Sequence, residues 1–329
     1  MIVRRRLILT SPGEQRSHEQ LTRTLAEFGC QLIPKMRVAD VLVVDNSGIT
    51  NAEFSYAMRA HFDFVVARHN RGLFGVEFDG KQHTMDAKNR ANDELKDRIC
   101  RQLGFPLLRI EADALEPITE RHSVLEWLVQ LWFRQEAIAD YQVEHGIDDV
   151  LEACDTIELV DGKLTWPLNP ALKMRAHLWQ LHKAKRCRQP IPFLLCWHDH
   201  EFRRTRAVAI LEIERAADSS QLVAVSVSCR SYDFGQFGLT DIDLVETIAL
   251  KAIGEALDGY LRGERQAFDG RGVVRLLKKC RTPPECQVDD TALFNIKVDF
   301  SSNVFALACA TVSGGAYGAP GGISAVRRL

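Results

Sequence analysis

A chain of 329 residues is too long for one ordinary hydrophobic core, so two domains are expected. Hydrophobic residues at 46% and charged ones at 26% fit a globular protein, and a formal net charge of −2 excludes a chain that attracts nucleic acid through its overall field. Nine cysteines without a C-x-x-C pair argue for reduced thiols over a disulfide framework. The apolar run near the start is too short for a signal peptide and no stretch reaches transmembrane length, so the expected compartment is the cytoplasm, with no membrane partner.

In chain order, Ser11 can cap a helix that has Pro12 at its first position and Glu14 three residues past the cap, the reciprocal capping box. Leu21, Leu25 and Phe28 then recur on one face until Gly29. Cys30 to Pro34 reads as a strand, Arg37 to Val44 as an apolar segment of open type, and Asp45 to Ala57 as a polar loop. Two strands follow, Phe62 to Ala67 and Leu73 to Asp79, separated by the breaker cluster Arg68 to Gly72. Thr84 to Leu103 reads as a polar helix ended by Gly104, Pro106 to Ile110 as a buried strand, and Ser123 to Ala137 as an apolar helix.

The two-stranded stretch carries the chemistry. Side chains alternate along a strand, which sets Phe62, Phe64 and Val66 on one face and Asp63, Val65 and Ala67 on the other; in the second strand Glu77 and Asp79 share a face with Leu73 and Gly75. Pairing symmetrical about Asn70 puts Asp63 directly across from Glu77. No lysine or arginine alternates with these acids, so either a divalent cation neutralises them or the edge is solvated. Acids that repel one another also predict that Glu77→Gln folds no worse than the parent.

These residues carry a resemblance. Phe62-Asp63-Phe64, the V-E-F-D-G-x-x-H run from Val76 to His83, then Asp93, Lys96, Gly104 and the L-L-R-I of Leu107 to Ile110 resemble the PD-(D/E)xK, or restriction-endonuclease-like, nuclease superfamily. Within it they are most similar to the branch of very-short-patch-repair-like proteins and the domain-of-unknown-function 2726 type. Upstream, Ser11 to Glu14 and the P-K-M-R-V-A-D-V run from Pro34 to Val41 fit the same branch, so the similarity covers about residues 10–110.

The resemblance implies an α/β fold with a restriction-endonuclease-like αβββαβ core in residues 1–141, followed by a second α+β domain in 142–312 and a flexible tail in 313–329. It implies Mg2+ or Mn2+ held by Asp63, Glu77 and Asp79, with Glu14, His83 and Lys96 completing the catalytic set. Asp79 stands where the superfamily pattern has lysine, which leaves Lys81, His83 and Lys96 as candidates for activating the water. Many nucleases of this fold dimerise to cut two strands, so a homodimer stays open.

After about Tyr141 the character changes. From Gly162 to His198 there is no acid, while Lys163, Lys173, Arg175, Lys183, Lys185, Arg186 and Arg188 supply positive charge around Trp179, a pattern suited either to nucleic-acid phosphates or to a solvated helix face. Three strands are expected at Phe193 to His198, Arg206 to Ile213 and Leu222 to Arg230, then a helix from Leu244 to Leu261. That order faintly resembles a double-stranded-RNA-binding domain, but Asp241 and Asp243 stand where such domains begin their last helix with lysines. Cys196, His198 and His200 alternate on one strand and invite zinc, or else form a polar strand end. A final hairpin is expected from Phe294 to Val312.

Two functions follow from the sequence: a metal-dependent nuclease acting on DNA phosphodiesters, in bacterial repair, restriction or phage defence, or a nuclease-fold protein that binds nucleic acid or regulates without cutting.

Overall fold

The computed structural model describes residues 8–80, 87–119, 122–146, 158–160, 163–165, 170–215, 220–230 and 240–280. Two compact units are formed, one from the described residues before 154 and one from those after it. The expected hairpin from Phe294 to Val312 and the tail lie outside the described residues, as do Lys81 and His83.

The first unit opens with helix α1, Pro12–Ala26, and its capping box forms as the sequence implies: Ser11 Oγ accepts from the Glu14 N–H while Glu14 reaches back to the N–H of Ser11. Strand β1, Gln31–Pro34, comes next, then two helices, α2 at Val38–Val41 and α3 at Asn51–Ala57. The stretch read as a polar loop therefore contains α3. Thr50 and Glu53 form a second capping box, and Ala57 is fully buried, so a seven-residue helix stands on its cap and one packed end. Strands β2, Phe64–Arg68, and β3, Arg71–Phe78, are followed by helix α4, Ala87–Gln102, strand β4, Leu107–Ile110, and helix α5, Val124–His145. Helix α5 runs past both Ala137 and the Tyr141 boundary before Gly146, at φ 62°, caps it.

The sheet order is β1-β2-β3-β4, with β3 and β4 parallel and the other pairs antiparallel. It is a mixed sheet in an α/β unit, and α2 and α3 interrupt the helix–three strands–helix–strand order between β1 and β2. One face lies under α1 and α5: Phe64 meets His18, and Phe74 packs on Trp132 and Phe133. The other lies under α2 to α4, where Val38, Ala57, Phe62, Val65, Ile99 and Cys100 form one cluster. Phe62 thus belongs with Val65, not with Phe64 and Val66, because regular strand geometry begins only at Phe64 and the chain at Phe62 bonds instead to Met36.

The β2–β3 register has two causes. His69 and Asn70, at φ 52° and 61°, make a two-residue turn whose left-handed backbone matches strand twist, and it pairs Arg68 with Arg71. Continued without interruption, that register would set Asp63 opposite Val76. A bulge at Leu73 adds one residue, so that Val66 pairs with Phe74 and Phe64 with Val76, which carries Asp63 across from Glu77.

The second unit holds a small hairpin, β5 Glu158–Val160 with β6 Lys163–Thr165, and an antiparallel sheet of β7 Phe193–Asp199, β8 Arg204–Arg215 and β9 Ser220–Arg230. Helices α6, Pro170–Lys183, and α7, Asp241–Leu261, pack on each other, and α7 lies on the sheet. Gly254 of α7 leaves room for the side chain of Met174, which fills the place where a Cβ would stand. Helix α8, Gly270–Lys279, was not anticipated; its Val273 and Leu277 cover the opposite face through Trp197, Val208 and Ile210.

Asn70→Gly should keep or raise the melting temperature, because glycine adopts the left-handed turn without a Cβ penalty. Deleting Leu73 should preserve a cooperative thermal transition, since losing the extra residue removes the bulge and leaves Val66 opposite Phe74 and Phe64 opposite Val76 with no slip of register.

Candidate functional site

The acids of the β2–β3 hairpin meet under α4. The Asp63 N–H donates to Glu77 Oε1 at 3.3 Å, and Asp63 Oδ2 accepts from the Phe78 N–H at 2.9 Å, which holds the two carboxylates side by side. Glu77 and Asp79 are only 6% and 8% exposed.

The expectation that no lysine or arginine neutralises them is corrected by the fold, because the cations arrive from other elements. Lys35, just after β1, places its Nζ 2.6 Å from Asp63 Oδ1 and 2.8 Å from Glu14 Oε1. Lys96 of α4 lies 2.8 Å from Glu77 Oε2 and donates also to the His61 carbonyl at 2.7 Å. Arg109 of β4, the register partner of Glu77, reaches Asp79 at 3.0 Å, Asp93 at 3.1 Å and Asp97 at 2.7 Å. Neither Lys35 nor Arg109 was singled out from the sequence, although both sit in the quoted runs, because a cation three elements away leaves no periodic signal.

Charge and burial compete at each group. Burial works against ionised Glu14, but Lys35 and the N–H groups of Thr10 and Ser11 outweigh it and hold the carboxyl below its usual range. Burial also opposes the charge on Lys35, and its hydrogen bonds to Asp63 and Glu14 overcome it, so the ammonium is held protonated. At Glu77 burial wins over Lys96, and with Asp63 adding repulsion the carboxyl is pushed up to about 7. Arg109 loses charge stability to burial and regains more from Asp79, Asp97 and their neighbours.

The network links the carboxylates of Glu14, Asp63, Glu77, Asp79, Asp93 and Asp97 through Lys35, Lys96 and Arg109. Clustered carboxylate oxygens are the donor chemistry of a hard divalent cation, and magnesium needs only one or two protein carboxylates with waters. In the arrangement seen, no group of three or more His, Cys, Asp or Glu side chains among the described residues is placed to hold one ion. Asp63 and Glu77 are the carboxylates on adjacent strands that could hold magnesium or manganese, each now with a lysine on it, while Asp79 is engaged by Arg109.

In the second unit Lys173, Lys183, Lys185 and Arg186 are exposed, whereas Arg175 is bound to Glu246 at 3.1 Å. The Cys196-His198-His200 alternation does not gather a metal site among the described residues: burial pushes the Cys196 thiol up to about 12, and His198 lies 3.4 Å from Asp241, whose hydrogen bond raises its pKa. Asp241 and Asp243 are accounted for structurally, the first by His198 and Thr205 and the second by the Thr240 capping box.

Lys96 alters the expectation for Glu77→Gln, since the amide keeps a hydrogen-bond acceptor but loses a buried ion pair. Because Glu77 is raised from 4.5 to about 7, the folded protein binds a proton there that the unfolded chain has released. The parent's stability relative to Glu77→Gln should therefore fall as pH rises from about 4.5 through about 7 and level off above it, read as paired denaturant melts. In Lys96→Met, Glu77 should take up a proton at neutral pH in place of the ion pair, so the loss of stability against the parent should be small near pH 7 and grow as pH rises above about 7, and the double variant Lys96→Met/Glu77→Gln should remove that pH dependence.

No described helix is long and apolar enough to cross a membrane. Searches among curated proteins and among solved structures each returned no match. The stretch that builds the carboxylate network, residues 6–127, matches the model of the family described as Protein of unknown function (DUF2726).

Proposed function

We propose that the first unit is a divalent-metal-dependent nuclease that hydrolyses DNA phosphodiester bonds, with Asp63 and Glu77 holding Mg2+ or Mn2+. The observation that carries this reading is the Asp63 and Glu77 pair on adjacent strands, each carboxylate bonded by a backbone N–H of the other strand, inside a cluster of buried and half-buried acids. Gathering acids in this way costs desolvation and repulsion. When bound, the ion would supply charge neutralisation at the phosphate and a more acidic water.

The lysine missing at Asp79 has two replacements in space. Lys96 is sealed, with a side chain only 8% exposed, and its ammonium is committed to Glu77 and the His61 carbonyl. The Lys35 side chain is 33% exposed and its ammonium touches Asp63 and Glu14, so it is the more accessible of the two to a phosphate or its attacking water. Lys35 is therefore the cation suited to orient that water and stabilise developing charge, and Lys96 the one suited to position Glu77. Glu14 holds Lys35 from the far side.

The alternative, a nuclease fold that binds or regulates without cutting, draws on the same lysines, because ammonium groups already lie on both proposed ligands. Purified protein with plasmid DNA separates the two. Cleavage should require Mg2+ or Mn2+, stop with EDTA, and fall by at least about 100-fold in Asp63→Asn and in Glu77→Gln. Lys35→Met should lose cleavage by a similar factor yet gain a larger Mn2+-induced rise in melting temperature, since a competing cation has left Asp63. Absence of cleavage together with absence of any metal-induced stabilisation would favour the non-cutting alternative.

A further inference from the structure

The C-terminal end of α6 and the turn after it form a second surface, independent of the carboxylate network. Trp179 is 47% exposed, and the Lys183 ammonium lies 5.6 Å from its ring centroid. The His182 ring stands beside the indole at 5.9 Å. Lys185 and Arg186 follow in a tight turn, closed by the Lys185 N–H to the His182 carbonyl and the Arg186 N–H to the Leu181 carbonyl, with Lys185 at φ 57°. His182 Nδ1 lies 3.2 Å from the Cys187 carbonyl, and the buried Cys187 anchors the far side of the turn. The cations are thus presented from a closed turn next to a half-open indole.

Their lack of acidic partners sets them apart. Of the other basic residues in the acid-poor stretch, Lys173 is also exposed, whereas Arg175 meets Glu246 at 3.1 Å, His177 meets Asp258 at 2.9 Å and Arg188 meets Glu212 at 3.6 Å. Lys183, Lys185 and Arg186 make no ion pair among the described residues and are exposed. Cations near a helix C-terminus complement its dipole, which explains Lys183 alone. It explains neither two further cations in the turn nor an indole left half in water.

We propose that this surface binds single-stranded nucleic acid, an unpaired base stacking on the Trp179 indole while Lys183, Lys185 and Arg186 take the flanking phosphates. An indole face offers a base a stacking surface in place of the cation–π contact that Lys183 now makes, and three cations without acidic partners among the described residues match a chain with one charge per nucleotide. A duplex presents phosphates but keeps its bases stacked and covered, so it could use the cations and not the indole. The proposal stands whether or not the first unit cuts.

The test is fluorescence anisotropy of a labelled oligothymidylate of about 12 nucleotides, with the full chain in EDTA so that nothing is cleaved. The parent should bind it at least about tenfold more tightly than a duplex of equal length, with affinity falling as salt rises. Trp179→Ala should weaken single-strand binding by roughly 5- to 100-fold and leave duplex binding unchanged, and Trp179→Phe should retain most of the affinity. Replacing Lys183, Lys185 and Arg186 together by Gln should flatten the salt dependence. Equal affinity for duplex and single strand, indifference to Trp179→Ala, or binding to phosphatidylserine vesicles without binding to the oligonucleotide would each overturn the proposal.

Discussion

A carboxylate can be buried only beside a cation or a set of donors, and the first unit is arranged around meeting that condition several times in one place. Glu77 and Asp79 lie under α4 with almost no access to water, and each acid of the network is reached by a cation from another element: β1's end sends Lys35, α4 sends Lys96 and β4 sends Arg109. The charges therefore link helix α1, the hairpin, α4 and β4 to one another. Removing a cation strands a carboxylate, while removing a carboxylate relieves a repulsion somewhere else, so the network responds unequally to substitutions that look alike.

The arrangement depends on a single extra residue. The turn at His69 and Asn70 would by itself face Asp63 with Val76, and the bulge at Leu73 restores Glu77 to that place. Bulges re-aim side chains, and here the consequence is chemical as well as geometric, because it decides whether two acids share a face. Lys35, at φ 55°, is a second local departure from regular backbone, at the far end of the hairpin from the bulge, and its ammonium lies on Asp63.

The second unit disposes of its charges differently. The basic stretch before β7 is acid-free along the chain but not in space, since α7 and β8 bring Glu246, Asp258 and Glu212 to it. Pairing removes Arg175 and Arg188 from the list of available cations and leaves Lys183, Lys185 and Arg186 at the edge of an exposed tryptophan. A run of like charge in sequence is thereby reduced to a compact patch.

Local signals determined much by themselves. The capping box at Ser11, the glycine after α4, the strand pair around Asn70 and the central acids are short-range features readable without the fold. Helix α3 escaped because its apolar content is slight and its stability rests on the Thr50 cap and a buried end, while Phe62 was set on the wrong face because period-two alternation was extended past the point where the strand begins. Asp63 was placed across from Glu77 by a symmetry about Asn70 that holds only because a turn centred half a residue earlier is offset by the bulge. What tertiary structure alone decided is the neutralisation: Lys35, Lys96 and Arg109 are 28, 19 and 30 residues from the acids they hold, and Coulomb attraction acts through space, so no spacing along the chain announces it.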